Sequence, residues 1–176
     1  MKHMIIIALI CMVGAPTSAS AAPVAQQNPL FPVKATGKAT ALQSMSAVGL
    51  FTYTFTLTAT GEDVFVPTSA TRSEKDMRAG VLYDITESDA NARAGGASGA
   101  FLYSKASSTK GMYFIPKGQT REFTLVAAHN NRGGEHDHYR MRLTGIRYAL
   151  REATNVLTTE TNGFSKYKTR EVELMK

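Results

Sequence analysis

The 176-residue sequence predicts an all-β protein built as an antiparallel β-sandwich, with a small eight-stranded barrel as the second architecture. Three observations predict it. Within Leu50–Thr58, Phe51, Tyr53, Phe55 and Leu57 alternate with four threonines at a period of two. Further short strand-like segments follow every ten to fifteen residues with turn punctuation such as Pro67 and Pro116–Gln119. Only Ser73–Ala79 offers a helical turn, with Ser73 as cap and Gly80 as stop.

The N-terminus reads as an address. Lys2 and His3 begin it, Met4–Val13 is apolar but too short to span a bilayer, and Ala19-Ser20-Ala21 suits a signal peptidase. Residues 1–21 are therefore expected to be a signal peptide, and the protein to be secreted or extracytoplasmic, at a cell surface or in a periplasm. Cys11, the sole cysteine, lies inside that segment, so no disulfide framework or cysteine-based zinc site is expected in the mature chain. Removing Lys2 from the 20 Lys+Arg leaves 19 against 14 Asp+Glu, a net charge of +5 that favours acidic partners. No apolar run beyond the signal approaches the ~18 residues of a membrane span.

Residues 22–33, with Pro23, Pro29 and Pro32, read as an extended leader. The sandwich is expected over 34–150, and 151–176 as a charged strand or tail. Within the domain, Phe51, Tyr53, Phe55 and Leu57 define one apolar face; their burial would contribute roughly 6–12 kcal/mol before entropy. Short strands follow at Asp63–Val66, at Gly80–Thr86 with Val81, Tyr83 and Ile85 inward, at Ala100–Ser104 and at Met112–Ile115. Ser104–Gly111 reads as a loop and Pro116–Gln119 as a turn in which Gly118 tolerates positive φ. Arg121–Ala128 resumes the alternation, and His129–Glu135 reads as a loop. Tyr139–Ile146 places Tyr139, Met141 and Leu143 inward, with Arg140 and Arg142 outward. A last, highly charged strand is expected over 164–174.

Three segments, Phe51–Pro67 (FTYTFTLTATGEDVFVP), Phe114–Leu125 (FIPKGQTREFTL) and Tyr139–Tyr148 (YRMRLTGIRY), resemble the immunoglobulin-like domains of exported bacterial surface proteins. The resemblance spans roughly residues 34–150 and lacks the Trp and Cys pair of antibody-type domains. It implies an immunoglobulin-like sandwich serving as a structural or adhesive module. It carries no catalytic residue over.

Two clusters are candidates for binding. His129, His136 and His138 are the candidate metal ligands; His136 and His138, two apart on a strand, would share a side, whereas Arg132, Arg140 and Arg142 nearby oppose a divalent cation. Arg140, Arg142, Arg147, Lys166, Lys168 and Arg170 are the candidate polyanion-binding residues, a cationic stripe if the two late segments pair. Such a stripe lacks the stacking aromatics of a single-strand nucleic-acid platform.

Catalysis finds little support. Gly96-Ala97-Ser98-Gly99-Ala100 lacks the second Gly of a nucleophile elbow, Glu62 and Asp63 point to opposite faces of a strand, and Gly133-Gly134 lacks the Lys of a phosphate loop. No cofactor is implied. The expectation is a non-enzymatic structural or adhesive module whose partner is an envelope component or surface protein, engaged at a sheet edge or face by strand addition. The alternative is an extracytoplasmic binder of a polyanion or metal ion.

Overall fold

A computed structural model of the chain describes residues 30–41, 47–87, 94–95, 97–131, 137–152, 157–161 and 163–174. The expected signal peptide and residues 22–29 of the expected leader lie outside the described residues, as does His136.

Among the described residues, twelve strands form three sheets. A four-stranded sheet has the order β1 (Leu30–Ala41), β2 (Val48–Ala59), β9 (Thr120–Asn130), β6 (Ala97–Ser104). A second sheet has the order β11 (Thr158–Glu160), β10 (Asp137–Tyr148), β5 (Val81–Glu87), β4 (Ala70–Thr71), with β12 (Val172–Leu174) also on β10. A small third sheet joins β3 (Val64–Pro67), β8 (Met112–Ile115) and β7 (Ser108–Thr109). All pairings are antiparallel except β4 with β5. These sheets do not close on one another, so the architecture is a sandwich and not the barrel.

The core follows from the period-two pattern. β2 buries every second residue along its whole length. Phe51, Phe55 and Leu57 share one buried cluster with Phe123 and Leu125 of β9, in the same sheet, and with Ile85, Met141 and Leu143 of β5 and β10. Phe55 stacks on Phe123 with ring centroids 5.7 Å apart, and Tyr113 of β8 meets Phe123 edge-on at 5.5 Å. The third sheet closes one end: Phe65 and Ala149 exchange backbone hydrogen bonds of 2.9 and 2.8 Å. Gly80 is a packing necessity, because a Cβ there would lie 2.3 Å from the Pro67 carbonyl oxygen.

Five local expectations change. β1 begins at Leu30, inside the expected leader, and pairs with β2 from Leu30↔Ala59 to Ala41↔Gly49. Ser73–Ala79 forms turns and no helix. The carbonyls of Glu74 and Asp76, which a helix would use internally, accept instead from Arg147, while the Gly80 amide donates to Ser69. The Ser104–Gly111 loop contains β7, which turns into β8 through Lys110 and Gly111, both at positive φ (47° and 76°). β9 continues through His129 and Asn130, so these two residues are strand and not loop. The expected strand over 164–174 shrinks to β12, because Phe164–Lys166 coils into a 3-10 turn that sends Phe164 and Tyr167 toward the core. Phe164 and Leu174 are both buried, so the C-terminal segment packs on the sandwich.

Candidate functional site

The two sheets differ in what they turn outward. On the second sheet, β10 sends Arg140 and Arg142 to its outer side, as the alternation requires. Arg142 lies opposite Asp84 of β5 on one side and Lys168 on the other. Arg140 forms an ion pair with Glu171 at 3.2 Å, and Nη2 of Arg142 lies 3.8 Å from Oδ2 of Asp84. His138 sits opposite Glu173 of β12. The late segments do pair, so part of the cationic stripe is assembled, but carboxylates are threaded through it.

Asp84 is the centre of this arrangement. It accepts from Nε and Nη2 of Arg72 at 3.3 and 3.1 Å, and from the Ile85 amide at 2.9 Å. Arg72 follows the last residue of β4, and its guanidinium takes the place of a further strand along β5. It donates to the carbonyls of Ile85 and Ala94 at 3.3 and 2.7 Å and to Ser98 Oγ of β6 at 3.2 Å. The Arg72–Asp84 side chains are 13% and 12% exposed, so the pair is structural and ties the open edges of the two large sheets together.

The six predicted cations therefore divide. Arg147 is 3% exposed; it donates to the Asp76 and Glu74 carbonyls at 2.5 and 2.6 Å and to Thr159 Oγ1 at 3.3 Å. It anchors a loop and adds nothing to a surface stripe. Arg140 and Arg142 face acids. Lys166, Lys168 and Arg170 are exposed, with Lys166 Nζ 5.2 Å above the Tyr167 ring.

The predicted metal residues diverge as well. His129 continues the inward phase of Phe123, Leu125 and Ala127, is 1% exposed, and lies against Tyr139 with centroids 4.9 Å apart. His138 is outward and exposed, so these two histidines occupy opposite sides of the sandwich wall. Among the described residues, no three His, Cys, Asp or Glu side chains gather to hold a metal ion. Both ring nitrogens of His129 lack hydrogen-bond partners. Burial, with the Arg72 charge adding to it, lowers its pKa from 6.5 to about 4, so the imidazole is neutral at physiological pH. Burial also raises Tyr53, to about 12, and Tyr139.

The first sheet turns out a different surface. Phe101 and Tyr103 of β6 are 80% and 59% exposed, the two most exposed aromatic side chains among the described residues, while Leu102 between them is buried. β6 contains no charged residue. β6 ends its sheet; the Tyr113 hydroxyl donates to its Leu102 carbonyl at 3.0 Å, and Arg72 donates to the Ser98 side chain at 3.2 Å. Between β6 and β4 lies a cleft of about 360 Å³ lined by Thr71, Arg72, Tyr83 and Ser98–Ala100.

Sequence reasoning identified β6 but not its exposed aromatics. Both faces of Ala100–Ser104 carry large apolar groups, and nothing local says which is inward. Fold and surface together define an antiparallel β-sandwich with one charge-laddered outer face and one hydroxyl and aromatic outer face. No family model matches the chain, and no curated protein matches it. No helix among the described residues is long and apolar enough to cross a membrane.

Proposed function

We propose that the protein is an exported, non-enzymatic β-sandwich that acts as a structural or adhesive module at a cell surface or outside the cell. The observation that carries this reading is the uncharged strand β6 with Phe101 and Tyr103 turned to solvent. Large apolar groups held in water on a rigid sheet are the usual mark of a contact surface. β6 ends its sheet, so the working surface is its outer face, with strand addition at its edge as a second mode of contact. The immunoglobulin-like resemblance and the signal-like N-terminus point the same way.

The test is cosedimentation of the purified protein with envelope material across a salt series. Binding should survive a rise from about 50 to 200 mM salt, since stacking and apolar contact are not screened. It should fall when Phe101 and Tyr103 are both changed to Ser. An envelope preparation that never retains the protein would overturn the proposal.

A second reading, binding of an anionic polymer, rests on Lys166, Lys168 and Arg170, three exposed cations within five residues. Retention that collapses over the same salt range, and that is abolished by reversing these three charges, would favour it.

A further inference from the structure

We infer that the outer face of β6, β9 and β2 is a platform for a neutral glycan, a deepening that rests on the adhesive reading above. The strand register puts six side chains in two rows across this face. Tyr103 lies opposite Thr124, which lies opposite Thr54; Phe101 lies opposite Val126, which lies opposite Thr52. Phe101 and Tyr103 are two residues apart on one side of a strand, roughly 7 Å along it. The Thr54 and Thr124 hydroxyls are 3.3 Å apart and share a hydrogen bond, so they present a fixed pair of polar atoms beside the rings.

Chemistry selects the ligand. A pyranose ring has an apolar C–H face that stacks on an aromatic ring, and a rim of hydroxyls that exchange hydrogen bonds with hydroxyl side chains. The platform offers both groups in adjacent columns. None of its six side chains is charged in a chain of net charge +6, and the next outward residue of β9 beyond Thr124, the exposed Glu122, is an acid that would repel an anionic partner. An anionic partner would be drawn instead to the exposed cations of 166–170. The apolar part of the platform is small: two aromatic rings exposed to this degree offer roughly 200–350 Å². A short stretch of sugar chain matches that footprint.

The experiment is affinity electrophoresis and cosedimentation of the purified protein with five neutral polysaccharides: mannan, xylan, dextran, cellulose and chitin. At least one should retain the protein, equally well at about 50 and 500 mM salt. Phe101→Ala and Tyr103→Ala should each weaken retention about tenfold without moving the thermal midpoint, because both rings are solvent-exposed; Tyr103→Phe should preserve most of it. The inference is overturned if none of the five retains the protein, if retention falls with salt, or if the double variant still binds. Envelope cosedimentation run in parallel separates the two claims. Envelope binding that depends on Phe101 and Tyr103 while all five polysaccharides fail would leave the adhesive reading standing and overturn the glycan class. Failure of both assays would overturn both.

Discussion

The outward positions of β2 and β9 carry Thr52, Thr54, Thr124 and Val126 with one acid, Glu122, whereas those of β5 and β10 carry Asp84, Thr86, Arg140 and Arg142. Both sets arise from the same alternation, and both sheets bury the same kind of aromatic and aliphatic interior. Yet Asp84 and Thr86 are buried on their outer side, and β5 is covered on both faces. The charges of the second sheet therefore find partners within the molecule, and their first role is structural. On the first sheet the Thr54 hydroxyl pairs with Thr124 and the Thr58 hydroxyl with Thr120, and the Phe101 and Tyr103 rings are exposed. A polar side chain on an outer face is a candidate for binding only where the fold has not already claimed it.

The strongest way to break this comparison is to remove the acid at the centre of the charged face. Asp84→Ala leaves Arg72 largely buried without its carboxylate and takes away the acid facing Arg142. The expected loss is about 3–5 kcal/mol in a urea titration. Asp84→Asn, which keeps shape and some hydrogen bonding, should lose less. A loss under about 1 kcal/mol for the alanine variant would mean that the ladder behaves as an ordinary solvated surface.

His129 gives the next largest effect. The folded state holds it neutral with a pKa of about 4, below its ordinary 6.5. Between those values the unfolded chain takes up a proton that the folded chain refuses. Stability is thus fully present above pH 6.5 and falls as pH drops toward 4, by about 3 kcal/mol for this group. Because neither ring nitrogen has a partner, His129→Phe should keep the packing against Tyr139 and remove this component. The check is the wild-type minus variant difference in urea midpoint at pH 7 and pH 4.5. An equal difference at both values would show that His129 is not the group that titrates.

Much of the scaffold was legible because β2 and β9 state their faces outright: Phe51 to Leu57 and Phe123 to Ala127 need only the period of two. His129 continues the second of these series, and the signal was there, masked by the polar run that follows it. β1 was not legible because KATGKATA has small, weakly apolar residues; its pairing with β2 makes it a strand. The structural role of Arg147 was not legible either, since its acceptors are backbone carbonyls more than seventy residues earlier. Local sequence cannot distinguish a solvated arginine from one that anchors a distant loop. The glycan face was half legible: its threonines are in the alternation, but the aromatics next to them come from β6, brought alongside by the register with β9.

Thr86 sharpens the comparison from the other side. Its hydroxyl is fully buried and lacks a hydrogen-bond partner, beside Asp84 on the same strand, whose carboxylate is engaged. Thr86→Val keeps the shape and removes an unsatisfied group, so it should leave stability unchanged or raise it by up to about 1 kcal/mol. The same change at Thr54 meets a hydroxyl that shares a bond with Thr124 on a half-buried face open to water. Thr54→Val should move stability by no more than about 0.5 kcal/mol. The two substitutions are chemically identical, so their difference measures what each face does with a hydroxyl. A clear gain at Thr86 beside no change at Thr54 would mark the second sheet as an internal surface in all but position. The reverse order, with Thr54 the costlier site, would mean that the Thr54–Thr124 pair serves the fold, and the platform would then rest on Phe101 and Tyr103 alone.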